Sequence, residues 1–153
     1  MKTIEEIATE IVDSCYKIHK SLGPGLLESA YEICLEYELK SRGFVVERQV
    51  PQPVIYEEIA IDAGYRIDLM VNDLVILELK AVDQLNPIHT AQLLTYLKLS
   101  GKSLGFLVNF NTPLIKQGIK RIANNHTLQT LLFLSVFASL RFNIPHIISQ
   151  VVS

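Results

Sequence analysis

The sequence predicts an α+β domain in which a helical hairpin precedes a mixed sheet flanked by helices. Two segments with helical periodicity come first, several short apolar or alternating segments follow, and a further helix separates the last of these strands from the others. The predicted order is α, α, β, β, β, β, α, β, α. With 153 residues, 49% of them hydrophobic and 20% charged, the chain can bury a single core.

The two predicted N-terminal helices form an αα-hairpin. Thr3 and Glu6 have the spacing of a capping box, and apolar residues recur at helical spacing as far as Ser21. Residues 23–25, Gly-Pro-Gly, break this helix. The second helix is predicted over residues 26–42, because a glycine follows directly.

Strand, turn and helix signals assign the rest of the regular structure. Glycines, prolines and asparagines separate the segments, and the apolar period distinguishes strands from helices. The predicted elements are strands at 44–50 and 54–61, the latter interrupted near 57, a hairpin at 66–80, a helix at 88–99, a strand at 104–110 and a helix at 113–123.

The C-terminal segment differs in composition, so residues 1–125 are predicted to form the domain and residues 126–153 an apolar extension. Its apolar run, residues 128–140, is shorter than the roughly 20 residues of a membrane span. No membrane span is therefore expected. Packing against the domain, or self-association into a homodimer, is the expected role.

Charge and cysteine usage narrow the class of protein. The formal net charge of −2 argues against a generally basic nucleic-acid binder, so contact with a polyanion needs a local patch or a metal ion. Cys15 and Cys34 lack metal-ligand spacing, and the N-terminus lacks the apolar stretch of a signal peptide. A cytoplasmic protein with reduced thiols is expected.

The hairpin at residues 66–80 carries the residues with the clearest chemical potential. A two-residue turn would place Asp68 opposite Leu77, with Glu78 on the other face. A three-residue loop, residues 72–74, instead places Val71 opposite Val75, Asp68 opposite Glu78 and Arg66 opposite Lys80. The second register is favoured because it gathers the apolar residues on one face, namely Ile67, Leu69, Val71, Val75, Leu77 and Leu79.

In that register Asp68 and Glu78 could converge on a hard cation such as Mg²⁺, since directly opposed Cβ atoms lie roughly 4.5 to 5.5 Å apart. Lys80, on the same face, could then orient a water molecule that attacks a phosphodiester bond. So short a motif also occurs as an ordinary solvated face, and both interpretations stay open on the hairpin alone.

Three further residues stand at informative spacings. Glu28 lies near the start of the second helix, where an acid also simply complements the helix dipole. Gln92 and Tyr96 are four residues apart on one predicted helix face, where they would hold a phosphate or form a half-buried polar pair.

Several motifs in order resemble a known family. Ile67-Asp68 followed by Glu78-Leu79-Lys80 is similar to the core of the PD-(D/E)XK nuclease superfamily, with isoleucine in place of the proline. Residues 25–31, Gly-Leu-Leu-Glu-Ser-Ala-Tyr, look like the motif of the GxxExxY protein family, which residues 4–124 resemble throughout. The resemblance implies a restriction-endonuclease-like core, a mixed four-stranded sheet flanked by helices.

The resemblance also implies roles for individual residues in a nuclease. Mg²⁺ or Mn²⁺ would be bound by Asp68, Glu78, the Leu79 carbonyl and Glu28, while Lys80 positions water. Substrate positioning would fall to Gln92 and Tyr96, which look like the Gln-x-x-x-Tyr motif of related nucleases, and to Tyr31 and Arg66. DNA is the expected substrate, with RNA open. The alternative is a non-catalytic relative that binds nucleic acid or a protein.

Overall fold

The structure, a computed structural model, describes residues 1–125, and the predictions for residues 126–153 lie outside them. Its helices and strands follow the chain order α1 (Ile4–Leu22), α2 (Glu28–Ser41), β1 (Val46–Pro51), β2 (Val54–Tyr56), β3 (Ile59–Ile61), β4 (Arg66–Val71), β5 (Val75–Lys80), α3 (Pro87–Ser100), β6 (Leu104–Asn109), α4 (Ile115–Gly118) and β7 (Ile119–Ala123).

The main sheet has five strands in the order β1-β4-β5-β6-β7. Only β5 and β6 are parallel, and α3 forms the crossover that joins them, so the sheet is mixed as predicted. A separate pair of antiparallel strands, β2 and β3, is inserted between β1 and β4. The α+β class and the arrangement of helices around a mixed sheet are confirmed.

The helical hairpin begins as the sequence indicates. The Thr3 hydroxyl accepts a hydrogen bond from the Glu6 backbone N–H, and the Glu6 carboxylate accepts one from the Thr3 backbone N–H, which confirms the capping box of α1. Gly23 ends the helix with a φ of 68°, a conformation that suits glycine. The second helix starts at Glu28, two residues later than predicted, so Glu28 opens its first turn.

Two apolar cores lie on the two faces of the sheet. The first core joins α1 and α2 to one face through residues that include Ile11, Leu35 and Leu77. The second core is smaller and joins α3 to the other face through Ile76 and Leu93. Within residues 1–125, no helix combines the length and the apolar character needed to cross a membrane.

The predicted helix at residues 113–123 is wrong over most of its length, and the expected four-stranded sheet is consequently five-stranded. Only Ile115–Gly118 is helical, and β7 then pairs antiparallel with β6. Gly118 lies so close to β6 that an added Cβ would meet the Asn109 carbonyl oxygen at 2.1 Å. The chain passes this point into a strand because pairing with β6 overrides the local helical pattern.

Candidate active site

The β4–β5 hairpin adopts the three-residue register. Val71 lies opposite Val75 and Leu69 opposite Leu77, which confirms that part of the prediction. In the loop, Asn72 and Asp73 have φ values of 50° and 53°, a conformation that asparagine and aspartate tolerate better than most residues. The register therefore carries Asp68 and Glu78 to the position just beyond the last paired residues.

At that position the side chain of Asp68, and not the backbone of β4, bonds to the backbone of β5. Oδ2 of Asp68 accepts a hydrogen bond of 2.7 Å from the backbone N–H of Leu79. Leu79 stands between Glu78 and Lys80, so this bond fixes the Asp68 carboxylate against the segment that carries the other two candidate residues. Asp68 is 8% exposed and Glu78 is 2% exposed.

The prediction that Ile67 shares the apolar face of Leu69 is wrong. Leu69 packs in the first core, whereas Ile67 packs in the second. The change of face occurs at Asp68, where the β1–β4 ladder pairs Arg48 with Leu69 and Val50 with Ile67 but not Gln49 with Asp68. Since the register is the same on both sides, no residue is inserted and the irregularity is local.

Glu78 carries a buried oxygen that lacks a hydrogen-bond partner among the described residues. This atom is Oε2, while Oε1 lies 3.4 Å from Nζ of Lys80. Burial, with repulsion from Asp68, raises the pKa of Glu78 to about 8 despite the nearby lysine. The site thus contains a carboxylate whose charge the surrounding protein compensates only in part.

Asp68 shows the same tendency more weakly. Burial raises the pKa of Asp68, whereas the Leu79 hydrogen bond and the charge of Lys80 oppose the shift. Glu28 is half-buried, and its charge raises the pKa of both Asp68 and Glu78. The charge of Glu28, in the first turn of α2, therefore acts on both hairpin carboxylates, beside which the family resemblance places it.

Glu32 and Gln49 join this cluster although neither was singled out from the sequence. Gln49 Nε2 lies 3.0 Å from each carboxylate oxygen of Glu32 and 3.5 Å from Oδ1 of Asp68. Burial raises the pKa of Glu32, and Asp68 adds to the shift. Helical spacing from Glu28 was a signal for Glu32. For Gln49 no sequence signal existed, because its position depends on the local break in the ladder.

The polar pair on α3 lies beside the carboxylates. Gln92 Nε2 donates a hydrogen bond of 3.0 Å to the Tyr96 hydroxyl, and the Tyr96 ring meets Tyr65 edge-on with centroids 6.5 Å apart. Burial raises the pKa of Tyr96, and Glu78 and Asp68 contribute to the same shift. These three side chains also line a largely apolar groove of about 470 Å³.

Comparison with known proteins identifies the family. Residues 5–122 match the PD-(D/E)XK nuclease superfamily. The chain belongs to that superfamily. The match does not test the narrower resemblance to the GxxExxY family, which stays a prediction. A search of curated proteins finds no significant match.

Two crystal structures also show similarity to the chain. An alkaline exonuclease, LHK-Exo from Laribacter hongkongensis, is 16% identical, with 92% of this chain and 80% of that chain covered and a TM-score of 0.40. LHK-Exo in complex with dAMP is 17% identical over the same shares, with a TM-score of 0.41. Similarity at this level says nothing about the substrate of the present chain.

Membership in the PD-(D/E)XK superfamily supports a nuclease, a hydrolase that acts on nucleic acids, and such nucleases generally use divalent metal ions. Two buried carboxylates, one with an unpartnered oxygen, are a suitable donor set for a hard cation. Residues 1–125 nevertheless contain no group of three acidic, histidine or cysteine side chains arranged to hold a metal. The fit to a cation therefore rests on the pair Asp68 and Glu78.

The structure gives Tyr31 a different place from the one predicted. Tyr31 is fully buried and stacks on Phe110, with ring centroids 4.4 Å apart. Its hydroxyl donates to the Gly23 carbonyl and accepts from the Leu26 backbone N–H. Tyr31 therefore holds the turn that precedes Glu28 and is not available to substrate. Arg66 is exposed at the start of β4.

Proposed function

We propose that this protein is a divalent-metal-dependent nuclease that hydrolyses phosphodiester bonds, with Mg²⁺ or Mn²⁺ as the cation and DNA favoured over RNA as the substrate. The observation that carries the proposal is the Glu78 carboxylate, which is buried beside Asp68 with one oxygen unpartnered among the described residues. A buried charge of this kind is costly unless a cation compensates it.

The cation would be held by Asp68 and Glu78, with Glu28 and the Leu79 carbonyl as further oxygen donors. When bound, a divalent metal lowers the pKa of a coordinated water and offsets the charge that develops on the phosphate. The bond from the Leu79 N–H to Asp68 keeps one donor carboxylate in a fixed orientation.

The remaining roles belong to side chains around these carboxylates. Lys80 has a side chain that is only 14% exposed and lies 3.4 Å from Glu78, where it can orient the attacking water and stabilise the charged phosphorane. Gln92 and Tyr96, joined by a hydrogen bond, would position the phosphate, and the exposed Arg66 would contact the phosphate or a base.

The test combines metal binding with cleavage. Titration calorimetry with Mg²⁺ and Mn²⁺ on the wild type and on Asp68→Ala is run beside assays with labelled single- and double-stranded DNA and RNA. We expect the wild type to bind metal and to cut DNA faster than RNA, and the variant to lose both activities. A wild type that binds no cation at millimolar concentration contradicts the proposal.

One observation favours a second function, binding of nucleic acid or a protein partner without cleavage. It is the lack, within the described residues, of three side chains arranged as metal ligands. Binding of labelled DNA by a wild type that neither binds metal nor cleaves would establish this alternative.

A further inference from the structure

Gln49 has a backbone conformation that its position in a strand does not explain. Among residues 1–125, the non-glycine residues with positive φ are Gln49, Glu57, Asn72 and Asp73. The last three lie in the turns of hairpins, where this conformation is common. Gln49, with a φ of 55°, lies inside β1, where it is disfavoured. Such a residue persists only where its surroundings enforce it, most often at functional sites.

The position of Gln49 in the sheet is opposite Asp68. The ladder forms on both sides of these two residues and is interrupted only between them. Their side chains meet instead of their backbones, since Gln49 Nε2 lies 3.5 Å from Asp68 Oδ1. The backbone irregularity of β1 is thus located at the candidate metal-binding carboxylate.

The Gln49 amide also separates two carboxylates of like charge. Nε2 lies 3.0 Å from both oxygens of Glu32, which is itself buried. An amide nitrogen only donates, so it can face both Glu32 and Asp68, whereas a closer approach of the two acids would be repulsive. Arg48 Nε, at 3.5 Å, adds some compensation to Glu32.

Each oxygen of Asp68 consequently has a donor. Oδ2 accepts from the Leu79 N–H, and Oδ1 faces the Gln49 amide. Two donors restrain rotation of the carboxylate about its last bond. Partners that orient a metal-binding carboxylate affect metal affinity and activity without touching the metal.

We infer that Gln49 is a positioning residue of the active site, which is anchored by Glu32 and orients the Asp68 carboxylate for cation binding. The inference rests on the proposed function and extends it to two residues that the hairpin motif does not contain.

The decisive variant is Gln49→Gly, because glycine accepts the positive φ and removes only the side chain. We expect the Kd for Mn²⁺ to rise, or kcat to fall, by about 10- to 100-fold. The melting temperature should stay within about 4 °C of the wild type. A purely structural role for Gln49 would lower the melting temperature and leave the Kd of the folded protein unchanged.

Glu57→Gly is the matched control, since Glu57 has a φ of 50° in the exposed β2–β3 turn. It should leave the Kd for Mn²⁺ and kcat at their wild-type values. Gln49→Gly with wild-type Kd and kcat overturns the inference.

The part played by Glu32 is tested with Glu32→Gln and Glu32→Ala. A glutamine keeps an oxygen that can accept from Gln49, so we expect a smaller loss of metal affinity than in the alanine variant. Equal losses would mean that Glu32 acts directly on the metal, which overturns the inference that it acts by anchoring Gln49. A wild type that binds no cation overturns the proposed function and this inference together, whereas normal wild-type behaviour with unaffected variants overturns this inference alone.

Discussion

Two clusters of charged residues in this domain differ in how their carboxylates are compensated. In the Arg42 cluster, on the surface of α1 and α2, the guanidinium of Arg42 lies 2.6 Å from Asp13, 2.8 Å from Glu10 and 2.9 Å from Glu38. Lys17 adds a second cation to Glu38 at 2.9 Å. In the acidic site, formed by Glu32, Asp68 and Glu78, the cations lie farther away, with Arg48 3.5 Å from Glu32 and Lys80 3.4 Å from Glu78. One oxygen of Glu78 keeps no partner among the described residues.

The difference appears in the pKa values. Hydrogen bonds from Lys17 and Arg42 lower the pKa of Glu38, whereas burial raises the pKa of Glu78 to about 8 and also raises that of Asp68. The ionised Glu38 therefore stabilises the fold. The ionised Glu78 destabilises the fold unless a further positive charge arrives from outside the chain. The acidic site is therefore maintained at a cost in stability, which is typical of a functional site.

The largest effect should follow from Glu78→Gln. Loss of an orienting partner should reduce cleavage by up to about 100-fold, and loss of a metal-binding carboxylate should reduce it further. The melting temperature of the metal-free protein should rise at pH 8, because the uncompensated buried charge is removed. Cleavage assays and thermal denaturation measure the two effects.

The matched control is Glu38→Gln in the Arg42 cluster, where the same change removes a compensated charge. It should lower the melting temperature and leave cleavage unchanged. If both variants shift the melting temperature in the same direction, the contrast between the clusters is lost.

The second largest effect is expected in the pH dependence of stability, which should differ between the two clusters. The folded pKa of Glu78 is raised from 4.5 to about 8, so between these values the folded protein retains a proton that the unfolded chain has released. The free energy of unfolding should therefore fall with rising pH in this window, by at most about 1.4 kcal/mol per pH unit from this group. Glu38 has the opposite effect, because its folded pKa is lowered. Its contribution to the free energy of unfolding is present above the pKa of the unfolded chain and is lost as the pH falls through the folded pKa.

Urea denaturation of the metal-free protein at a series of pH values measures this slope. The slope should be absent or shallower in Glu78→Gln, and saturating Mg²⁺ should flatten it in the wild type, because metal binding displaces the proton. An identical slope in the wild type and in Glu78→Gln would show that Glu78 is not its source.

A smaller change in stability is expected from Arg42→Met. The variant removes the cation shared by three carboxylates, and loss of hydrogen bonds to charged groups should lower the free energy of unfolding by about 2 kcal/mol. Lys40→Met removes only an exposed pair with Glu36 and should cost about 0.3 to 0.5 kcal/mol. Both variants should cleave at the wild-type rate, which a cleavage assay checks. Reduced cleavage in Arg42→Met would mean that the two clusters are coupled.

The hairpin of the acidic site could be read from the sequence because its information is local. A one-residue slip would have placed a charged residue on the apolar face that Leu69 and Leu77 share, so the apolar pattern selected the register that brings Asp68 level with Glu78. The first helix was predictable for a similar reason, since Thr3 and Glu6 cap it through adjacent backbone groups.

The parts that were missed depend on contacts distant in sequence. The strand β7 forms because residues 119–123 pair with β6, and the local periodicity of the sequence could not predict that pairing. The family resemblance gave Tyr31 a substrate contact, yet its ring is covered by Phe110, which lies far along the chain. Gln49 reaches the site through a single unusual backbone conformation, and no pattern of residue types announces such a conformation at a glutamine.

The smallest expected effect is a loss of kcat/KM on changing a tyrosine near the acidic site, with a tyrosine near the Arg42 cluster as the control. Tyr96→Phe removes the hydroxyl that accepts from Gln92 near the acidic site, while the edge contact of the ring with Tyr65 is kept. Loss of one hydrogen bond of this kind should reduce kcat/KM by roughly tenfold or less. Tyr37→Phe is the control, because Tyr37 lies beside Lys17 and Glu38 of the Arg42 cluster and is exposed. It should leave kcat/KM unchanged. Equal values for Tyr96→Phe and the wild type would remove Tyr96 from the substrate-positioning role and confine the chemistry to the carboxylates and Lys80.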